Sequence, residues 1–364
     1  MRNNSLDDII KCKIDISTPT SNDESFDKIL LVVEKPGISG SKTIGTDIVE
    51  ISKADELLDY GYKVTDSAYI AAKVCFVQKP APDKICICVR AKTEATYEEL
   101  KSTLDRANSS ISFYGFHITS FKDKADVNKA ADWAETNSKI FGFEYDNIAS
   151  MPLTKSNYYR TFAVYAGLAD GFETANQPSE NAYAALALMA KCFGYAPGTE
   201  TWHLKDLNGV YPSLLSSEQK KSLESKNINM ILRYANFNCN VGGAVIAGEW
   251  IDVIRFIDWL KDRMQYNVFS VLKNNKKIPF NDNGINLLAG KMEETLKYAQ
   301  DIGGISTTEF DSSGNAIPAY KISVPKSSDL TEEQRKSRKL PNCKYTARIA
   351  GAVHAVEIEG YITF

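Results

Sequence analysis

Apolar and polar residues alternate at both ends of the chain. Near the start the apolar positions are Ile10, Cys12, Ile14 and Ile16, and at the end they are Val356, Ile358, Ile362 and Phe364. A period of two residues is typical of a half-buried β-strand. The sequence therefore predicts an N-terminal arm and linker over residues 1–22 and a C-terminal β-hairpin or arm over residues 344–364.

The two predicted strands suit pairing between chains. Residues 17–25, STPTSNDES, are polar and contain a proline, which predicts a linker between the first strand and the body. A strand with unpaired edges is an aggregation hazard, which a partner chain removes by completing its sheet. The strands also carry opposite charges between their apolar positions, at Lys11, Lys13, Glu357 and Glu359. The alternative is that each strand pairs within its own subunit.

Between residues 26 and 145, short apolar runs alternate with helical patterns. The predicted strands are DKILLVVE, KICICVR, ISFYGFHITS and KIFGFEY, and the predicted helices are SKADELLDYG, DSAYIAAKVCFVQ, TYEELKSTLDRA and DKADVNKAADWAETN. Ser52 is the predicted N-cap of the first helix, and Thr96 with Glu99 forms a predicted capping box for the third. This alternation predicts an α/β fold with a largely parallel, doubly wound sheet.

The rest of the chain divides into two parts. Residues 150–245 contain two predicted strands, YYRTFAVYAG and INMILRYAN, one buried helix, SENAYAALALMAKCFG, and a long loop, and their role stays open. Apolar spacing of three and four residues from Gly248 predicts a long amphipathic helix. We therefore expect an α/β body over residues 23–247 and a C-terminal α/β domain over residues 248–343. Within the long helix, we expect the ion pairs Asp252–Arg255 and Asp258–Lys261 on a solvated face.

Charge and composition exclude several classes of protein. The formal net charge of −3 gives no overall attraction to nucleic acid or to an anionic membrane. The first residues, MRNNSLDDIIKCK, lack the pattern of a signal peptide, and no apolar stretch approaches the roughly 18 residues of a membrane span. Seven cysteines without framework spacing suit reduced thiols in a cytoplasm. Cys86 and Cys88 share one strand face, where buried thiols are favoured over a metal site.

Catalytic motifs are weak. The loop VVEKPGISGSKTIG, residues 32–45, resembles a phosphate-binding loop, but Pro36 and Ser41 occupy two positions where that motif needs glycine. A surface loop is therefore the favoured interpretation, and a nucleotide-binding enzyme is the alternative. The three histidines, His117, His203 and His354, have no cysteine, serine or carboxylate at motif spacing. We expect a protein that is not an enzyme, with no cofactor and no metal.

One basic cluster stands out. The run RKSRK places Arg335, Lys336, Arg338 and Lys339 within five residues. From the sequence alone, a solvated helix end is favoured, since basic residues suit the C-terminal end of the helix dipole. A contact with an acidic surface is the alternative.

Four segments together resemble a known family. They are DDIIKCKIDIS at the start, AYIAAKVCFVQKPAPDKICICVR at 68–90, GEWIDVIRFIDWLKDRMQYNVFSVLKNNKKIPFNDNGINLL at 248–288, and KYTARIAGAVHAVEIEGYITF at the end. In this order they resemble the sheath subunit of contractile tails, as in myophages and R-type tailocins, and most of all the clostridial, diffocin-like sheaths. A tail terminator or baseplate component is the alternative within the same particles.

The resemblance implies a mechanical role. Sheath subunits form stacked six-fold rings around an inner tail tube, linked by N- and C-terminal arms, between the baseplate and the tail terminator. On triggering, the sheath shortens and drives the tube through a target envelope. Ile10, Cys12, Ile14 and Ile16 would then lie on the donated N-terminal strand, and Val356, Ile358, Ile362 and Phe364 on the C-terminal arm.

Two surfaces compete for the tube contact. The family grips the tube through its C-terminal domain, which favours the cluster Arg335, Lys336, Arg338 and Lys339, while the helix at 249–273 is the other candidate. The resemblance further implies assembly in the bacterial host cytoplasm, then release within a phage tail or tailocin, with no nucleic-acid partner and no membrane insertion.

Overall fold

The computed structural model describes residues 26–93, 96–119, 124–173 and 176–360. Six of the predicted arm positions lie outside these ranges, namely Ile10, Cys12, Ile14, Ile16, Ile362 and Phe364. The strands predicted for these positions therefore stay predictions.

Fourteen strands occur in the described residues. They are β1 Ile29–Glu34, β2 Val49–Ile51, β3 Ile85–Arg90, β4 Lys92–Thr93, β5 Thr96–Tyr97, β6 Gly115–Ile118, β7 Ile140–Tyr145, β8 Thr161–Tyr165, β9 Asn229–Tyr234, β10 Phe237–Val241, β11 Glu309–Phe310, β12 Ala316–Ile317, β13 Tyr320–Ser323 and β14 Lys344–Ala347. Eight of them form one sheet in the order β10-β9-β8-β7-β6-β1-β3-β2. The six inner strands run parallel, and the edge strands β2 and β10 are antiparallel to their neighbours. The predicted α/β fold with a largely parallel sheet is confirmed.

Nine α-helices occur in the same ranges. They are α1 Glu56–Asp59, α2 Ser67–Phe76, α3 Leu100–Ser110, α4 Lys124–Asn137, α5 Ala184–Phe193, α6 Ser217–Glu224, α7 Ile251–Asn274, α8 Asp282–Asp301 and α9 Glu332–Ser337. Short 3-10 helices cover Ser179–Tyr183 and Ser327–Asp329.

The central sheet is covered on both faces. Alternate residues of β1 belong to different cores. Leu31 lies in the core that contains residues of α2, α5, α7 and α8, and Leu30 lies in the core that contains residues of α3, α4 and α6. Because both faces are buried, β1 reads as the continuous apolar run ILLVV rather than as an alternating one. The first layer joins the C-terminal helices to the body in a single apolar core.

Residues 150–245 complete this sheet. They supply β8, β9 and β10, and the helix α5, every residue of which is buried. The amphipathic α6 and the edge strand β10 were not predicted. Ser216 caps α6 in a capping box with Gln219, which the sequence pattern S-x-x-Q also contains.

Two predicted helix caps are wrong. The first helix has only one turn and starts at Glu56, and the Ser52 hydroxyl donates to the Glu56 carboxylate at 2.7 Å instead of capping the helix. Thr96 lies in the short hairpin of β4 and β5, so α3 starts after Glu99, which makes no side-chain cap. A local hydrogen bond replaces the predicted cap at Ser52, and strand pairing places Thr96 outside the helix.

Candidate assembly surfaces

The helix α7 is fixed to the body by buried ion pairs. Asp258 on α7 accepts two hydrogen bonds from the guanidinium of Arg160, at 2.6 and 2.8 Å, and a third from the Tyr114 hydroxyl at 2.7 Å. Burial alone lowers the pKa of Arg160, but the Asp258 carboxylate more than compensates, and the pKa is raised. Burial, followed by the Asp258 charge, raises the pKa of Tyr114. Arg160 therefore stays positively charged, and the Tyr114 hydroxyl stays neutral.

A second buried arginine connects α7 to the start of the body. The guanidinium of Arg255 pairs with Glu200 and donates to the carbonyl oxygens of Phe26 and Tyr195 at 2.9 and 2.8 Å. Phe26 is the first described residue, and Arg255 holds it against the C-terminal half of the chain.

These contacts correct the expected charge pattern of α7. Asp258 pairs with Arg160 and Arg255 with Glu200, so both side chains are buried rather than solvated. Helical spacing suggested partners three residues apart, but the actual partners lie on other elements. No signal in the local sequence points to them.

The C-terminal half carries a small antiparallel ribbon. Strands β13 and β14 pair over Tyr320–Ser323 and Lys344–Ala347, and Tyr320, Ile322 and Tyr345 pack against the apolar core. In the described part of the chain, neither outer edge of this ribbon pairs with a further strand. Its outer edges therefore present backbone N–H and C=O groups of the kind to which a strand of another chain can add.

Beyond the ribbon the C-terminal segment is exposed. After an isolated bridge between Ile349 and Ile305, residues 351–360 form no strand. Val356 and Ile358, both predicted arm positions, are 73% and 88% exposed. The strand predicted over these positions is absent from the single chain, and pairing with a partner stays a prediction.

The basic cluster separates into three kinds of residue. Arg335 donates to the carbonyl oxygens of Phe280, at 2.8 Å, and of Ser327, which ties α9 to neighbouring loops. Lys336 pairs with Glu332 one turn earlier on the helix. Arg338 ends the helix with a left-handed backbone, φ 55°. Within the described ranges, the charged groups of Arg338 and Lys339 have no ion pair, which leaves them available to a partner.

The glycine-containing loop at 32–45 packs on the body's surface. Its lysine, Lys42, pairs with Asp59 at 2.8 Å, and its backbone N–H donates to the Asp59 carbonyl at the same distance. A Cβ on Gly40 would lie 2.1 Å from that carbonyl oxygen, so this position requires glycine for close packing. The strand β2, not a helix, follows the loop. This geometry is that of a surface loop.

The described residues contain neither a cluster of metal ligands nor a membrane-spanning helix. No group of three or more histidine, cysteine, aspartate or glutamate side chains is positioned there to hold a metal ion. Cys86 and Cys88 are buried free thiols, and burial raises the pKa of both. In the ranges that the structure covers, no helix has the length and apolar character needed to cross a membrane.

Comparison with known proteins agrees with the resemblance. Residues 251–361 match the family described as "E217 tail sheath protein gp31-like, C-terminal domain". No curated protein matches the chain significantly in sequence.

Solved structures extend the likeness to nearly the whole chain. A chain of the anti-feeding prophage baseplate superposes with a TM-score of 0.66 at 13% identity, covering 98% of both chains. The contracted PVC sheath complex, from an extracellular contractile injection system, gives 0.65 at 14% identity, covering 97% of this chain and 96% of the other. The sheath tail protein of Listeria innocua gives 0.57 at 12% identity, covering 84% and 90%.

The predicted resemblance to contractile tail sheath proteins is therefore confirmed, in the fold of the chain and in the family of its C-terminal domain. The narrower likeness to diffocins and other tailocins stays a prediction.

Proposed function

We propose that this chain, which has the fold of a contractile tail sheath protein, is the structural subunit of such a sheath. Subunits form stacked six-fold rings around an inner tube, and contraction drives the tube through a target cell envelope. The observation that supports the proposal is a combination of three features in one chain: a sheath-type fold, an exposed apolar C-terminal segment and a β-ribbon with unpaired edges. All of these features leave backbone or apolar groups for neighbouring copies to cover.

The arms connect the copies in this proposal. Strands at Ile10–Ile16 and Val356–Phe364 leave their own subunits and extend the β13–β14 ribbon of neighbours by β-augmentation. The main-chain hydrogen bonds supply strength, and the alternating apolar side chains fix the register. A subunit that donates strands to identical neighbours makes a head-to-tail contact, which generates rings or helical assemblies.

The role is mechanical and not enzymatic. The energy for contraction comes from the difference between two packings of the same subunits, so no nucleotide is needed. The buried pairs Arg160–Asp258 and Arg255–Glu200 suit such a role, because they hold α7 on the body while the subunit moves as a unit. The loop at 32–45, with Lys42 held by Asp59, is then a surface feature.

The tube contact is assigned to the basic cluster Arg335, Lys336, Arg338 and Lys339. Arg338 and Lys339 make the direct contact, because Arg335 and Lys336 already have partners in the subunit. Exposed charge pairs are individually weak, which suits a grip that must release. The exposed side of the helix at 249–273 is the competing surface.

The remaining partners are the other parts of the tail. The sheath ends contact a baseplate and a tail terminator, and the subunits assemble in the host cytoplasm before release with the particle. A terminator or baseplate role for this chain is the second candidate, because one of the similar chains belongs to a baseplate structure.

Electron microscopy of polymers tests the proposal. We expect the full chain to form tubular or stacked-ring polymers by negative stain, and a chain lacking residues 1–17 to form none. The paired substitution Ile14→Asp and Ile16→Asp should act like the truncation, while Asp15→Asn, between these positions, should leave polymers intact. Single closed rings that never stack would favour a terminator, and monodisperse particles from every variant would overturn donated-strand assembly.

A further inference from the structure

One side chain anchors the exposed C-terminal segment. Among residues 351–360, His354 is the only one that is half-buried, and the others are exposed. Its neighbour Val353 is 82% exposed. The last backbone hydrogen bond before it is donated by Ala350 to the carbonyl of Gly304, at 3.1 Å. The position of the segment over the body therefore depends on one imidazole ring.

This ring lies in a small site on the body made by Thr201, His203 and Trp250. His354 stacks on His203 with ring centroids 4.5 Å apart and an interplanar angle of 27°. It meets Trp250 edge to face at 4.5 Å and 82°. Its Nε2 lies 2.9 Å from the Thr201 hydroxyl. Two aromatic contacts and a hydrogen bond give one exposed residue a specific place on the surface.

The surroundings of His354 disfavour a positive charge. Burial lowers the pKa of His354, and the charges of His203 and Lys205 lower it further. Two imidazolium rings stacked at this distance would repel each other. The neutral His354 therefore fits the site better than the protonated form.

The neighbouring carboxylates offer little negative charge to balance a protonated His354. On the loop beneath the ring, Glu200 pairs with Arg255, and Asp206 pairs with Lys191. At the start of α7, burial, followed by the Glu200 charge, raises the pKa of Asp252 to about 6. Asp252 thus loses its negative charge as the pH falls below about 6 and offers no counter-charge there. The other acidic groups close along the chain are Glu249, Glu357 and Glu359, all exposed.

His203 can remain in place in either protonation state. Its Nδ1 lies 3.1 Å from the amide nitrogen and 3.0 Å from the carbonyl oxygen of Gly242. The neutral ring can accept from the N–H, and the protonated ring can donate to the oxygen. The contact of His203 with Gly242 is therefore available to both forms of the ring, so a repulsion between two charged rings would act on His354, which has no such backbone contact.

We infer that Thr201, His203 and Trp250 form a proton-sensitive binding site for the neutral imidazole of His354, which holds the C-terminal segment on its own body and releases it on acidification. The contact is stable above pH 6.5, the ordinary histidine value, and weakens as the pH falls below it. For a single proton, the equilibrium constant for docking falls by up to about tenfold per pH unit. The inference concerns the free subunit and does not depend on the proposed sheath.

Electron paramagnetic resonance on the full chain tests this inference. A nitroxide at Val356→Cys reports the mobility of the segment, with Cys343→Ser to remove an exposed thiol and Cys12→Ser to prevent labelling near the N-terminus. We expect a restricted spectrum at pH 7.5 and a mobile one at pH 5.5. With His354→Phe added, the aromatic contact stays but cannot be protonated, so the spectrum should stay restricted at both values. With His354→Ala added, it should be mobile at both.

The controls separate release from unfolding and from assembly. A nitroxide at Ser313→Cys, in the turn between β11 and β12, should give the same spectrum at both pH values, and light scattering checks that the samples stay monomeric. A Val356 label whose mobility does not change between pH 7.5 and 5.5, or changes equally in the His354→Phe background, would overturn the inference. Neither result bears on polymer formation, which the truncation experiment tests separately.

Discussion

Arg160, immediately before β8, and Asp258, in the first half of α7, form a two-point ion pair although 98 residues separate them in the chain. The pair lies inside the protein, where the guanidinium is fully buried and the carboxylate is 5% exposed. Tyr114, immediately before β6, donates a hydrogen bond from its hydroxyl to the same carboxylate. One acidic side chain of α7 thus connects two inner regions of the sheet to the C-terminal half of the chain.

Breaking this pair should destabilise the whole subunit. Asp258→Ala leaves Arg160 buried without a counter-charge and Tyr114 without its acceptor, and such a loss costs about 3–5 kcal/mol. Urea denaturation followed by circular dichroism measures the change in the free energy of unfolding.

The double variant Arg160→Met with Asp258→Leu is the matched control. Replacing both charges by apolar groups of similar size is often neutral or stabilising, so this variant should recover most of the loss. An Asp258→Ala variant within about 1 kcal/mol of the wild type would show that the pair does not hold α7 on the sheet.

Sequence patterns predicted the elements whose signals are local. Both faces of β1 are buried, and its apolar run identified it, while the spacing of apolar residues identified α7. The strand β10, FNCNV, was missed because two asparagines interrupt its apolar positions. Asn240 there is buried and donates to the Trp202 carbonyl, a partner that only the fold supplies.

The candidate surfaces were predictable to a similar extent. The basic cluster was visible in the sequence as a run of charges. Which of its residues are free to bind a partner was not visible, because this depends on how α9 packs. In the described structure, Arg335 is hydrogen-bonded to neighbouring carbonyls, and Arg338 and Lys339 have no ion pair. The site of His354 could not be predicted, because its partners His203 and Trp250 lie more than a hundred residues earlier in the chain.

Removing the charge of Asp252 should stabilise the protein at neutral pH. Burial, with the Glu200 charge second, raises the pKa of this carboxyl from 3.8 to about 6. Because the pKa of Asp252 is higher in the folded state than in the unfolded state, its ionised carboxylate opposes folding above pH 6. This free-energy penalty declines as the pH falls from 6 towards 3.8. Asp252→Asn should therefore add about 1–2 kcal/mol at pH 8, after allowance for partial solvent exposure, and roughly half of that at pH 5.

Thermal unfolding at both pH values checks this expectation. Asp329→Asn, an exposed aspartate in a surface 3-10 turn, serves as the control and should show no such pH dependence. A gain for Asp252→Asn that is as large at pH 5 as at pH 8 would mean that the charge of Asp252 is not the cause.

If Arg338 and Lys339 contact the tube, reversing their charges should weaken tube binding without lowering the stability of the subunit. Arg338→Glu with Lys339→Glu should lower co-sedimentation with purified tail tubes, and the remaining binding should depend less on salt, because a screened attraction has been removed. The melting temperature should stay within about 2 °C of the wild type, since neither charged group has an ion pair in the described residues.

Two comparisons make this test specific. Lys53→Glu with Lys63→Glu introduces the same change in net charge at exposed lysines of the body and should leave tube binding intact. Arg335→Glu should instead lower the melting temperature, because three backbone hydrogen bonds from its guanidinium are lost. Equal loss of binding from both double variants would point to net charge, and normal binding by Arg338→Glu with Lys339→Glu would favour the helix at 249–273.

The exposed apolar positions of the C-terminal segment should matter only in the assembly. Val356→Asp with Ile358→Asp places charges where a partner strand would bury apolar side chains, while the free subunit loses no contact because both residues are exposed. We expect an unchanged melting temperature and loss of polymers by negative-stain microscopy. Glu357→Gln, between the two positions and pointing to the opposite face of an extended strand, should leave polymers intact. Polymers of normal length from the double aspartate variant would exclude the C-terminal segment from the contact between subunits.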